Sequence, residues 1–339
     1  MKKILSIALV VLMALTTLVS CGSEAEAANV NFGMGVYTYY GEATSADGET
    51  NGAGEVLATV AAVLVDADGK IVACDIDCAD ISVEYTSAGA AVVADAFKTK
   101  AELGTDYGMA AYGADLNGDG KVLEWNEQAD ALEGVVVGKT VDEVKALVVD
   151  GYYGTEEVQT AGCTIGISDY IKAVEKAVAN AAESTAKATD TVKVGVVTSA
   201  SATDATADAE GSIEVDITVA AAATDADGKI TACATDVAVA EVTFTALGEA
   251  TTDTAAEILT KLEKGADYGM AAYGADLNGD GKVLEWNEQA AAFNTACTGL
   301  TATEVAALVV DGYGVEDVQT AGCTIGITDM AAAMVKAAQ

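Results

Sequence analysis

Residues 106–129, DYGMAAYGADLNGDGKVLEWNEQA, return without change at residues 267–290. Two flanking pieces return as well: DADGKI (66–71) at 225–230, and VQTAGCTIGI (158–167) at 318–327. A duplication of this extent means that one architecture must serve twice. The 339 residues also suit roughly two domains at about 150 residues each. The expected division is a signal peptide over 1–20, a tether over 21–29, repeat domains over 30–182 and 192–339, and a small, polar linker over 183–191. Two units are too few for a solenoid.

Outward from the repeat, each copy reads as strands first and helices after. Residues 36–43 alternate weakly. Residues 55–65 are apolar on both sides, which suits a central strand. The DADG turn then returns the chain along 71–76 as a hairpin. In the second copy Ile213, Val215, Ile217 and Val219 alternate with polar neighbours. Helix starts are expected at Thr140 with Glu143, at Thr301 with Glu304, and at Thr254 with Glu257, the last ending at Gly265. Ser168 and Thr328 open the final helices. The expected class is α+β: two homologous domains, each an antiparallel sheet packed on one side by helices.

Composition removes several chemistries. The chain has no His, no Pro and no Arg, all 17 basic residues being Lys. Ser-His-Asp and Cys-His catalysis, His-ligated zinc and bidentate Arg clamps are therefore excluded. The net charge of −36 repels nucleic acid and anionic lipid. Clustered carboxylates alone could serve a glycosidase, but no pair is placed by spacing.

Lys2 and Lys3, the apolar run over 4–18 and Leu18-Val19-Ser20-Cys21 resemble a bacterial lipoprotein signal. That resemblance implies cleavage before Cys21, lipidation of that cysteine and anchoring at the extracellular face of the cell membrane.

Asp115-Leu116-Asn117-Gly118-Asp119-Gly120, repeated from Asp276, resembles the opening of an EF-hand-type calcium loop. Asp115, Asn117 and Asp119 (Asp276, Asn278 and Asp280 in the copy) supply oxygens at positions one, three and five. Gly follows at six, and Lys121 or Lys282 offers its carbonyl at seven. Position twelve, where the loop family carries a bidentate Glu, holds Asn126 or Asn287. Glu124 and Glu127 lie nearby but out of register, and an irregularly recruited Glu124, or Glu285 in the copy, is expected to complete the ligand set.

The AGCT segments give a second candidate. On strand alternation Cys163, Ile165 and Ile167 share one face, and Thr164 projects from the other beside a bare Gly. A helix start follows, whose free N–H groups suit a phosphate. The segment resembles the Ser-Gly-Ala-Thr motif of FMN-binding domains in flavinylated bacterial electron-transfer proteins. The DGKI hairpin, the Tyr-rich opening residues 37–41 and the following YIKAVEKA helix resemble that family too. The resemblance implies FMN esterified to Thr164 and Thr324 by an FMN transferase, with Gly162 and Gly322 beside the cofactor and an external redox partner. Against the family pattern, Ala161 replaces Ser and Cys163 replaces Ala.

Cys74, Cys78, Cys163, Cys233, Cys297 and Cys323 remain besides Cys21. Cys74 and Cys78 on one strand lie about 13 Å apart, too far for a disulfide. No C-x-x-C occurs, and buried small hydrophobes are expected. Tyr107, Tyr112 and Trp125, with their copies, are expected to pack in the core near the acidic loop. Two functions stand at this point. One is a lipid-anchored FMN-binding-like electron carrier. The other is a non-catalytic surface binding or structural module stiffened by calcium.

Overall fold

The computed structural model describes residues 29–94, 97–112, 120–273, 281 and 283–339, without the side chains of Tyr112 and Tyr273. Cys21 and the leader lie outside the described residues. So do Asp115, Asn117, Asp119, Asp276, Asn278, Asp280 and Lys282.

The first half holds strands β1 (Asn29–Thr44), β2 (Gly52–Val65), β3 (Ile71–Tyr85), β4 (Ala91–Val92), β5 (Val148–Val149) and β6 (Tyr153–Gly154). Its helices are α1 (Lys100–Leu103), α2 (Met109–Tyr112), α3 (Trp125–Val136), α4 (Val141–Lys145), α5 (Glu156–Ala161) and α6 (Ser168–Ala179). Strand β7 (Ala182–Lys187) leads into β8 (Thr191–Thr203), β9 (Gly211–Thr224), β10 (Ile230–Phe244), β11 (Val309–Val310) and β12 (Tyr313–Gly314). The second helical set is α7 (Lys261–Lys264), α8 (Met270–Tyr273), α9 (Trp286–Cys297), α10 (Ala302–Ala306), α11 (Glu316–Thr320) and α12 (Thr328–Ala337). All sheets are antiparallel, in the orders β4-β3-β2-β1-β7 and β10-β9-β8, with two small two-stranded ribbons.

Period-two alternation explains the layers. On β2, Val56, Ala58, Val60, Ala62 and Leu64 join Ile213, Val215, Ile217 and Val219 of β9 in one core between the two sheets. The intervening Ala61, Val63 and Val65 pack against α3 and α6. In the second half Ala220 and Ala222 meet α9 and α12. The result is a four-layer sandwich, helices–sheet–sheet–helices. The helices cover one face of each sheet, as expected, and the other face is covered by the opposite half.

Close approach requires small residues. A Cβ on Gly35 would fall 2.2 Å from the Ala173 carbonyl of α6, and one on Gly195 would fall 2.1 Å from the Ala333 carbonyl of α12. These glycines let each helix lie directly on its sheet.

The halves exchange contacts reciprocally. Ala46 N–H donates to Gly248 O at 2.7 Å, and Ala205 N–H donates to Gly89 O at 2.8 Å. Lys176 pairs with Glu263, and Lys336 with Glu102, both at 2.5 Å. Between the sheets the Tyr85 and Phe244 rings stack at 4.4 Å.

Three sequence expectations are corrected. The expected linker is largely β7, hydrogen-bonded to β1 as an edge strand. The AGCT segments are not strands. Gly162, at φ +116°, ends α5, and residues 163–167 form the loop into α6. The capping box of α7 is Thr260 with Glu263, six residues beyond the expected Thr254, because Ile258 is drawn down into the inter-sheet core. The boxes at Thr140 and Thr301 are present.

Tyr85→Ala empties a fully buried site in the core both halves share, and removes the hydroxyl that donates to Thr44 O at 2.8 Å. It should destabilise the protein by about 3–5 kcal/mol in urea unfolding. Leu247→Ala, at an exposed site, should change stability by less than about 0.5 kcal/mol.

Candidate functional site

The two sequence candidates in each half meet at one side chain. Trp125 starts α3 and is buried at 1 % exposure, so Gln128, one turn on, also faces inward. Gln128 Nε2 donates to Leu123 O at 3.1 Å. Its Oε1 accepts from Thr164 N at 2.8 Å and from Thr164 Oγ1 at 3.1 Å. In the second half Gln289 holds Leu284 O and Thr324 in the same way. The exit of the acidic loop and the AGCT segment are thus fastened together. Sequence reasoning missed both glutamines, although they lie within the duplicated stretch.

That geometry bears on the flavin reading. Each threonine hydroxyl proton is engaged by a buried amide, and both threonines are half-buried. Gly162 and Gly322 are buried and face Leu123 and Leu284, and the bare glycine expected beside Thr164, Gly166, lies under the Tyr152 ring, whereas its counterpart Gly326 is exposed. Esterification would have to displace the glutamine, so the residues do not fit covalent FMN in this arrangement. The expected helix starts are present, with Ser168 and Thr328 four residues after each threonine.

The exit of the acidic loop is different. Glu124 N–H donates to Glu127 Oε2 at 2.9 Å, so Glu127, near the loop in sequence, acts as a helix cap. The Glu124 and Glu285 side chains also close capping boxes with the backbone of Glu127 and Glu288, but Glu124 Oε2, Asn126 Oδ1, Glu285 Oε2 and Asn287 Oδ1 are sealed from solvent with no donor among the described residues. Such orphaned buried acceptors are uncommon and call for a donor or a cation. Counted from Asp115 they stand at positions ten and twelve, and α3 begins between them. Asn126 is therefore a candidate ligand in the register expected of the loop, beside Glu124. Lys121 is exposed and engaged in contacts of its own. Among the described residues no group of three His, Cys, Asp or Glu could hold a metal, the loop carboxylates lying outside them.

The six cysteines among the described residues are free thiols. Burial pushes Cys78 and Cys323 up to about 11 and Cys163 and Cys233 up to about 12. None is a thiolate at neutral pH, which argues against nucleophilic or redox duty.

Buried acids have structural roles. Asp77 Oδ1 accepts from Cys78 N at 2.7 Å and from Ala101 N at 3.1 Å. Asp236 Oδ1 accepts from Val237 N at 2.7 Å and from Leu262 N at 3.0 Å. Each ties a β-strand to the first turn of α1 or α7. Burial raises both carboxyls to about 6, against opposing hydrogen bonds. Glu133, buried beside Asp75, rises to about 8, from desolvation first and Asp75 second.

No protein-family model, curated protein or solved structure matches the chain. Among the described residues no helix is long and apolar enough to cross a membrane.

These acids set a pH dependence. The folded state holds their protons above the unfolded pKa, so their contribution is complete below about pH 4 and is lost as pH rises through 6 to 8. Urea unfolding should show lower stability at pH 8 than at pH 5. Each of Asp77 and Asp236 should account for on the order of 2–3 kcal/mol. Asp77→Asn with Asp236→Asn keeps the accepting oxygens and should flatten that slope. An unchanged slope would assign it to Glu133 and general charge repulsion.

Proposed function

We propose that the protein is a lipid-anchored, extracellular, non-catalytic binding or structural module of two homologous domains, each stiffened by one calcium ion. The observation that carries this reading is the repeated pair of orphaned oxygens, Glu124 with Asn126 and Glu285 with Asn287, at the exit of each acidic loop. Calcium takes six to eight hard oxygens, so it would satisfy these acceptors together with Asp115, Asn117 and Asp119, or Asp276, Asn278 and Asp280. The ion would neutralise local carboxylate charge in a chain of net charge −36. It would also fix the start of α3 or α9 over its sheet. Burial of the free thiols and the absence of His fit a non-catalytic role. The anchor at Cys21 rests on the leader sequence.

The competing proposal is the FMN-binding-like electron carrier, favoured by the helix starts that follow Thr164 and Thr324. It requires release of both threonines from Gln128 and Gln289. Intact mass of protein from its native cell separates the two, since a flavin adduct lost in Thr164→Val with Thr324→Val would support the carrier.

For calcium, thermal melting of the mature chain is decisive. Loops of this kind outside cells bind at roughly 0.1–1 mM. At about 10 mM calcium the mass-action gain is then about 1.4–2.7 kcal/mol per site. The melting temperature should rise by several degrees, return with chelator, and respond less in Glu124→Gln with Glu285→Gln. No shift at that concentration would overturn the reading.

A further inference from the structure

The halves differ in their packing on the helix-facing side of the sheet. In the second half, a cleft of about 330 Å³ opens between β9, β10 and the start of α12, lined by Ser199, Asp216, Lys261, Trp286, Asp329 and Met330 among others. In the first half larger side chains stand at the equivalent positions. Strand register puts Tyr39 opposite Leu57 where Ser199 stands opposite Asp216. Tyr170, whose hydroxyl accepts from Trp125 Nε1 at 2.8 Å, stands where the second half has Met330. The Tyr152 ring covers Gly166, whereas the second half lacks that residue and its Gly326 is exposed. Two tyrosines are thus replaced by smaller side chains, and a third is deleted.

The charges are rearranged along with the space. In the first half Lys100 pairs with Asp80 at 3.1 Å, and Asp169 pairs with Lys172 at 3.1 Å. In the second half Val239 replaces Asp80, Ala332 replaces Lys172, and Asp216 replaces Leu57. Lys261, Asp216 and Asp329 face one another across the cleft without forming a salt bridge among the described residues. The Lys261 ammonium lies 5.8 Å from the centre of the Trp286 ring. Asp216 is half-buried, and its carboxyl is raised by desolvation, lowered by Lys261 and raised by Asp329. α12 has ten residues and no side-chain cap, and its first residues, Thr328, Asp329 and Met330, line the cleft.

We propose that this cleft binds a small zwitterion of the α-amino acid class. Its ammonium would sit between Asp216 and Asp329, and its carboxylate between Lys261 and the start of α12. The electrostatics select this class over its neighbours. A simple anion would meet two carboxylates. A simple cation would leave the Lys261 ammonium, which lies 5.3 Å from the centre of the Tyr268 ring and 5.8 Å from that of Trp286, without a carboxylate partner. A ligand with both charges satisfies every group, through charge-assisted hydrogen bonds on each side. The volume sits at the lower end of small-molecule sites, and Trp286 and Met330 offer an apolar wall for a side chain.

The test is calorimetric titration of the mature full chain in calcium-containing buffer with glycine, L-alanine and L-glutamate, beside ethylamine and propionate as single-charge mimics. At least one zwitterion should saturate one site per chain, with both mimics at least about tenfold weaker. Asp216→Leu and Met330→Tyr each install the first half's own residue, so both should keep the melting temperature and lose the binding. Should either variant fail to fold, Ser199→Tyr supplies the same steric block. No heat from any of the three zwitterions at about 10 mM, equal binding of ethylamine, or undiminished binding by Met330→Tyr would overturn the proposal.

Discussion

The structure depends on strands that are apolar on both faces. β2 and β9 each bury alternate residues in opposite directions. Each half supplies one layer of helices, which covers one face of one sheet. The second face of each sheet, carrying Val56, Val60 and Leu64 in one half and Ile213, Val215 and Ile217 in the other, has only the opposite half to meet. Burial of that surface is the main favourable term holding the halves together. The reciprocal lysine–glutamate pairs and backbone bonds set its register. Exposed pairs of this kind add little on their own, so they serve orientation more than stability.

A chain with 5 % aromatic residues must pack with small side chains. It does so by bringing backbones together. Gly35 and Gly195 admit helices onto strands, and alanines pave the helix-facing side of β9. Aromatic residues are concentrated where alanine cannot fill the space: the Tyr85–Phe244 stack between the sheets, and the Trp125 and Tyr170 group above Cys78. Where the second half omits the corresponding tyrosines, the consequence is open volume, because no neighbouring large side chain is free to move in.

Much of the class was legible because period and punctuation agreed. The two-sided run at 55–65 is the central strand, the DADG turns close hairpins, and the Thr-x-x-Glu boxes at 140 and 301 start helices. The sandwich was not legible, since apolar alternation shows that a face is buried but not what buries it. The AGCT segment misled for a local reason. Cys163 and Ile167 are both fully buried, as they would be on a strand, yet a left-handed Gly162 turns the chain and a loop places them. Thr254 misled because a capping sequence competes with tertiary burial, and Ile258 prefers the core. Most of both acidic loops lies outside the described residues. Their described part is the exit, where Asn126 Oδ1, at the register position that spacing marks as a departure, is orphaned together with Oε2 of the out-of-register Glu124.

The strands of the two halves differ at many positions, with Tyr85 against Phe244 and Met34 against Val194, while residues 106–129 and 158–167 match 267–290 and 318–327 throughout. A core tolerates exchanges that keep volume and polarity. The two identical stretches are those joined through Gln128 and Gln289, where a single amide oxygen serves a backbone N–H and a hydroxyl while its nitrogen serves a carbonyl. Changing any member leaves a buried polar group unpaired, at about 1–3 kcal/mol each. Hydrogen-bond geometry at the loop exit restricts substitution there more tightly than packing restricts it between the sheets.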